Sequence, residues 1–122
     1  MLFACAGREK VEVDDSIPQE IVEGKALFLS NCKACHDTNM LAGMTGPALG
    51  LTVFQRKKEW WVQATQNFGK LVMERDSIAM ELCVKYNLTT MQNYEYLSEK
   101  EILAIYEYVK WKTKKVKPEL DR

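Results

Sequence analysis

Four stretches of the chain carry apolar residues at helical spacing, and none shows the strict alternation typical of a strand. They cover residues 17–31, 57–67, 76–86 and the segment that follows Ser98. The residues predicted to share an inward face are Ile17, Ile21, Gly24 and Phe28 in the first stretch, Trp60, Trp61 and Ala64 in the second, Ile78, Leu82 and Tyr86 in the third, and Ile105 and Val109, with Tyr106 or Tyr108 at the margin, in the fourth. The pattern predicts an all-α fold of about four helices.

Capping signals, stop signals and one hydrophobic staple mark the predicted helix ends. In a capping box, a Ser or Thr side chain and a Glu or Gln three residues later satisfy each other's free backbone N–H groups. Capping boxes are predicted at Ser16–Gln19 for the first helix and at Ser98–Glu101 for the fourth, where Leu97 and Ile102 are placed to form the hydrophobic staple. Gly69 and Asn87 are predicted to end the second and third helices.

The longest run without a charged residue covers 38–55 and contains Gly43, Gly46, Pro47 and Gly50. A membrane span needs about 20 apolar residues in an unbroken helix, so we interpret this run as a loop. Its lack of charge needs a separate explanation.

Composition adds little to this picture. A chain of 122 residues predicts one domain with a single core. Lys plus Arg equals Asp plus Glu at 17 each, so no bulk charge points to a nucleic-acid partner or an acidic substrate.

The candidate chemistry lies in the segment Cys32–His36. It reads Cys-x-x-Cys-His, and His36 is the single histidine of the chain. This is the attachment sequence of c-type haem, in which two thiols bind the macrocycle and the adjacent imidazole ligates the iron. The segment therefore predicts one haem c, covalently attached through Cys32 and Cys35.

Two other interpretations of the same cysteines remain open from the residues alone. One is a zinc site of Cys32, Cys35, His36 and a distant ligand such as Cys83, although zinc sites usually bring ligands in two spaced pairs. The other is a thioredoxin-like dithiol, which requires a βαβ setting that the pattern does not predict. A buried, inert role is the simpler interpretation of Cys83.

The sequence resembles class I, single-haem cytochromes c from about residue 19 to residue 112. Four motifs carry the resemblance in order: Gly24–Phe28 (Gly-Lys-Ala-Leu-Phe), Cys32–His36, Thr45–Leu49 (Thr-Gly-Pro-Ala-Leu), and Met91 ahead of the last helix. The resemblance implies a cytochrome c fold, in which the N- and C-terminal helices cross and the charge-free run wraps the haem.

The resemblance also implies roles for single residues. Gly24 and Phe28 match the face of the N-terminal helix that meets Ile105 and Tyr108. Pro47 matches the proline whose carbonyl accepts the free ring N–H of the ligating histidine, which orients the ring.

The second iron ligand is a choice among methionines. The family places it in the polar loop before the last helix, which implies Met91, and iron ligated by His36 and Met91. The competing methionines are Met40 and Met44 near the histidine, Met73 in a connector and Met80 on the third helix. Many bacterial relatives have Met-Pro here, and Gln92 replaces that proline, so we expect a more mobile ligand loop.

Haem propionates need polar partners. In related cytochromes an indole N–H in this region donates to a propionate, which implies Trp60 or, alternatively, Trp61. We favour Trp60, with Arg56 as a further propionate partner.

The chain ends differ from its middle. Residues 1–16 are interpreted as a tether, 17–113 as the cytochrome c domain and 114–122 as a basic tail. Leu2–Cys5 resembles the end of a lipoprotein signal, so lipidation of Cys5 would anchor the domain to a membrane. The family implies a periplasmic location, free or membrane-anchored.

The combined expectation is a monomeric carrier of single electrons and not an enzyme. Its expected partners are redox proteins, such as a terminal oxidase, a quinol-oxidising complex or a periplasmic reductase, and not nucleic acid. The alternatives are a haem c module of a larger oxidoreductase complex and, less favoured, a zinc-stabilised interaction domain.

Overall fold

The computed structural model describes residues 16–86 and 91–120, and these residues form helices and connections without any strand. The helices are α1 (Gln19–Asn31), α2 (Leu49–Gln55), α3 (Lys58–Met73), α4 (Ser77–Lys85) and α5 (Glu99–Val116), followed by a 3₁₀ turn (Pro118–Leu120). Within the described residues, no helix has the length and apolar character that crossing a bilayer requires.

Helices α1 and α5 make the most extensive helix–helix contact of the fold. Gly24 allows it, because a Cβ at this position would overlap the backbone carbonyl of Ala104 and approach the Cβ of Tyr108. One turn further along α1, the rings of Phe28 and Tyr108 lie 5.7 Å apart. The predicted pairing of the two terminal helices is confirmed, with Ala104 as the closest partner of Gly24.

Two apolar clusters hold the helices together. The larger is built mainly from α1, α3 and α5, and its fully buried members include Phe28, Ile102, Ile105 and Val109. The smaller lies between α3 and α4 around Ala64, Phe68, Leu71 and Ala79, with Met91 packed against it. A cleft opens between parts of the two clusters, lined by residues of both.

The start of α5 agrees with its sequence signals. Ser98 and Glu101 form both hydrogen bonds of the capping box, at 3.0 Å and 2.9 Å. The two staple residues, Leu97 and Ile102, are buried. Tyr106 and Tyr108 are both buried instead of lying at the margin, since α5 contacts helices on more than one side. The helix continues to Val116, past the predicted domain boundary at residue 113.

The predicted capping box at Ser16 and Gln19 is wrong. Helix α1 begins at Gln19, and Pro18 is its N-cap without a side-chain cap hydrogen bond. The Pro18 carbonyl accepts from the N–H groups of Ile21 and Val22, so the chain enters the helix two residues later than a Ser16 cap requires.

The interpretation of 38–55 as a loop is wrong in its second half, where α2 forms. Thr52 and Val53 are buried in α2, and Gly50 approaches Thr113 of α5, whose Oγ1 would lie 2.5 Å from a Cβ at position 50. The glycine that suggested a loop is therefore a contact point between helices.

Helix α3 extends beyond its predicted end. Its backbone leaves the helical region at Asn67 (φ −157°, ψ 83°) and returns to it, so the helix continues to Met73. The Asn67 side chain accepts from the N–H of Lys70 at 3.0 Å, which is the N-cap geometry of a second helical segment. The predicted end at Asn67 thus coincides with a break, and Gly69 lies inside the restarted helix.

Helix α4 begins where it was predicted, with Asp76 as its N-cap accepting from the N–H of Ala79 at 2.9 Å. Ala79 is its buried residue, while the predicted stripe Ile78, Leu82 and Tyr86 is only partly buried. The predicted stop at Asn87 lies outside the described residues, as do residues 1–15 with Cys5.

Candidate functional site

The Cys-x-x-Cys-His segment continues directly from α1. The carbonyl of Phe28 accepts from the N–H of Cys32 at 2.8 Å, and the carbonyl of Cys32 accepts from the N–H of His36 at 3.0 Å. These turns fold the segment back on the helix end. The two cysteines and the histidine therefore line the same cleft.

The ring of His36 is held from one side. Its Nδ1 lies 2.9 Å from the carbonyl oxygen of Pro47, so in the tautomer protonated at Nδ1 the ring donates to this carbonyl. Gly46 packs closely against the ring, since a Cβ at this position would overlap His36 Cε1. The N–H of Gly46 donates to the carbonyl of Cys35 at 2.9 Å, which joins the two segments. The sequence-predicted pair of Pro47 and His36 is thus brought together.

Burial shifts the titration of both His36 and Cys32. It lowers the pKa of His36, and the hydrogen bond to Pro47 opposes this only in part. A neutral imidazole is the form that ligates a metal. Burial, and then the charge of Cys35, raises the pKa of the free Cys32 thiol to about 12.

The zinc and dithiol alternatives find no support in the structure. Within residues 16–86 and 91–120, no three His, Cys, Asp or Glu side chains are grouped as metal ligands. Cys83 is only partly buried, although a buried side chain was predicted, and it packs against the α3–α4 cluster. The described part of the chain contains no strand that could form a βαβ unit.

The cleft is mainly apolar and open on one side. Its volume is about 1090 Å³ when the space on that open side is included. Its apolar walls include Leu49, Trp60, Trp61, Ala64, Phe68, Leu82, Tyr94 and Ile105.

Among the five methionines that the structure describes, Met91 alone lines this cleft. Met40 is fully buried in the larger cluster, with a left-handed backbone (φ 72°). Met44 is 50% exposed and Met73 86% exposed. Met80 lies on α4, outside the cleft lining.

The two indoles line the cleft with their N–H groups already paired. Trp61 donates to Thr52 Oγ1 at 2.9 Å, and Trp60 donates to Asp76 Oδ2 at 2.8 Å. The bond from Trp60 to a propionate stays a prediction, and it would require this N–H to leave Asp76. Arg56 differs, because its Nε is buried and has no hydrogen-bond partner within the described residues.

Hydrogen bonds from residues that the sequence analysis did not identify connect two segments that line the cleft. Tyr94 donates its hydroxyl to the carbonyl of Asn31 at 2.8 Å, and Tyr96 donates to Asn31 Oδ1 at 2.7 Å. Asn31 directly precedes Cys32, so these bonds join the segment after Met91 to the start of the haem-attachment turn. The available signal was the closeness of two tyrosines to Met91.

The residues of the cleft fit a covalently attached haem. Two thiols and an oriented imidazole lie together on one side, a thioether sulfur lies on another element, and the walls between them are apolar. Arg56 is not among the residues that line the cleft, so its role as a propionate partner stays a prediction.

The comparisons agree with this fit. A model of the cytochrome c family matches residues 21–113. A cytochrome c from Rhodothermus marinus is 25% identical with a TM-score of 0.71, over 87% of this chain and 88% of that chain. An engineered cytochrome c from the same organism is 26% identical (TM-score 0.68), and an engineered form bound to a carbene intermediate is 25% identical (TM-score 0.67). Each covers 86% of this chain and 88% of its own.

No match is found among the curated proteins. The family model covers most of the chain, and the solved structures share its fold. The chain therefore belongs to the cytochrome c family, as a class I member with one haem c attached covalently through Cys32 and Cys35.

Proposed function

We propose that this protein is a carrier of single electrons whose haem iron is ligated by His36 and Met91. Haem-based electron transfer is the function of the family, and the axial ligands are the finer assignment. The observation that carries the assignment is that His36 and Met91 line one cleft together with Cys32 and Cys35.

The proximal assignment is supported by the surroundings of His36. The ring is buried, its Nδ1 is paired with Pro47, and Gly46 limits its rotation. A histidine held in this way presents its other nitrogen without reorienting, which keeps structural change on electron transfer small.

The distal assignment is supported by the placement of Met91. It is partly buried and packs against the α3–α4 cluster. A thioether ligand raises the reduction potential relative to harder ligands, and the apolar walls exclude water from the metal. We propose that the domain performs no bond-making reaction of its own.

The partners and the location follow from the family and not from the described residues. We propose that the protein exchanges electrons with larger redox proteins, such as a terminal oxidase, a quinol-oxidising complex or a periplasmic reductase. We further propose that it acts in the periplasm as a monomer. Lipidation of Cys5 is tested by the intact mass of the native full-length protein, and an unmodified Cys5 would contradict anchoring.

The ligand assignment is tested by absorption spectra of the oxidised and reduced protein, produced with a c-type maturation system. Wild type should show low-spin bands and the weak red band of methionine-ligated ferric haem, and Met91→Ala should lose that band. Met73→Ala is the matched control, because this exposed methionine should leave the band unchanged. A high-spin wild type would contradict the proposal and favour an open iron site in a larger oxidoreductase.

A further inference from the structure

Helix α3 is broken behind the segment that carries Met91. At the break, the carbonyls of Thr65 and Gln66 both accept from the backbone N–H of Tyr94, at 3.2 Å and 3.1 Å. Carbonyls at the end of a helical segment need outside donors, and here the donor lies three residues after Met91. The break therefore provides the anchor for the segment that follows the proposed ligand.

One side chain connects the break to the anchored segment. Asn67 Oδ1 accepts from the N–H of Lys70 at 3.0 Å and so starts the second half of α3. Its Nδ2 donates to Glu95 Oε2 at 3.0 Å, next to Tyr94 in the chain. Asparagine can perform both tasks, because one amide offers an acceptor and a donor.

We propose that Asn67 is a positioning residue for the iron ligand, acting through Glu95 and Tyr94 on the segment that begins at Met91. This inference rests on the proposed ligation by Met91. Asn67 and Glu95 line a polar groove that shares no residue with the haem cleft, so they act from behind the ligand segment.

The two hydrogen bonds of Asn67, the N-cap with Lys70 and the bond to Glu95, can be separated by substitution. Asn67→Asp keeps a good N-cap acceptor but removes the donor and places a carboxylate against Glu95. Asn67→Ser also keeps a cap but is too short to reach Glu95. The double variant Asn67→Asp/Glu95→Gln reverses the hydrogen bond, since the introduced glutamine amide would donate to the new carboxylate, and it leaves the net charge of the pair unchanged.

The test measures the affinity of the ferric protein for imidazole, which competes with methionine for the iron. Losing one hydrogen bond corresponds to about a 2- to 10-fold change, so Asn67→Asp and Asn67→Ser should bind imidazole more tightly by that factor. The double variant should return to the wild-type affinity. Gln63→Ser, at an exposed position one turn earlier on α3, is the matched control and should not change it.

Hydrogen exchange provides a second readout that does not depend on the haem. The amide of Tyr94 should exchange faster in the two single variants and at the wild-type rate in the double variant. Equal imidazole affinities in wild type and Asn67→Asp, with a normal red band in both, would overturn the positioning role of Asn67. They would leave the proposed ligation by Met91 intact. A wild type without the red band would instead overturn the proposed ligation.

Discussion

The two sides of the haem cleft are built in different ways. On the proximal side, His36 lies in the same turn as both cysteines, and Gly46 and Pro47 hold its ring directly. On the other side, Met91 lies far along the chain and packs against the α3–α4 cluster, while Tyr94, three residues later, bonds to Asn31 and to the carbonyls of α3. We infer that His36 is held by local geometry and Met91, the proposed second ligand, by tertiary contacts.

The largest expected effect comes from breaking the proximal packing with Gly46→Ala. The added Cβ overlaps the His36 ring, and overpacking of this kind costs about 1–3 kcal/mol of unfolding free energy. Denaturant unfolding of the holoprotein measures the loss. Gly43→Ala is the control, because its Cβ would come no closer than 3.3 Å to any atom, and that atom is the hydroxyl at the end of the Tyr86 side chain. Equal losses in both variants would contradict direct packing on the ring.

The next effect concerns the hydrogen bond from the Tyr94 hydroxyl to Asn31, which Tyr94→Phe removes. The lost hydroxyl bond to the Asn31 carbonyl should lower the unfolding free energy by about 0.5–1.5 kcal/mol. The red band should also disappear at a lower denaturant concentration than helicity does. Tyr96→Phe removes a bond made by a side chain that is 65% exposed, and it should have a much smaller effect. A red band that persists to the same denaturant concentration as in wild type would contradict the idea that tertiary contacts of Tyr94 position the ligand.

The two sides should also differ at alkaline pH. Burial is the main cause that raises the pKa of Tyr94 above its ordinary value, and the charge of the neighbouring Tyr96 adds to the shift. Because the folded-state pKa is raised, the stabilisation is complete below pH 10 and is lost as the pH rises through the folded value. Both bonds are accepted by backbone carbonyls, but the donor on the proximal side is the His36 ring N–H and not a tyrosine hydroxyl.

Thermal unfolding from about pH 8 to about pH 11 tests this difference. Wild type should lose stability above about pH 10 more steeply than Tyr94→Phe, which has no titrating hydroxyl at this position. Parallel curves for the two proteins would show that Tyr94 does not contribute to the alkaline loss.

The smallest expected effect comes from stiffening the distal loop with Gln92→Pro. Proline reduces the freedom of the unfolded chain and typically adds about 0.4–1 kcal/mol. The red band should then survive to higher denaturant concentration and higher pH than in wild type. If wild type already holds its methionine as firmly as relatives with Met-Pro, the expected mobility of this loop is wrong.

The parts of the fold that follow from local sequence were predictable. The start of α5 needed only the spacing of Ser98 and Glu101, and the haem-attachment turn needed only Cys32–His36. The close contact of α1 with α5 at Gly24 was implied by the resemblance to class I cytochromes c, which rests here on the short motif Gly24–Phe28. In each case the signal lies within a few residues.

The parts that depend on distant contacts were not predictable. Helix α2 was missed because Gly50 was interpreted as a sign of a loop. In the structure this glycine allows a close contact between helices. The hydrogen bond from Asn67 to Glu95 was missed because the two residues are far apart in sequence. The indole partners Thr52 and Asp76 were missed for the same reason, since a single threonine or aspartate carries no pattern.

The unequal exposure of the methionines has a chemical consequence. Peroxide converts exposed thioethers to sulfoxides, so Met73 should react first, Met44 more slowly and Met40, which is fully buried, last. If Met91 ligates the iron as proposed, its sulfur shares one lone pair with the metal and becomes a weaker nucleophile, so Met91 should be oxidised more slowly while the bond is intact. The exposed Met73 thus serves as an internal reference, and the ratio of sulfoxide at Met91 to that at Met73 reports how often the iron–sulfur bond opens.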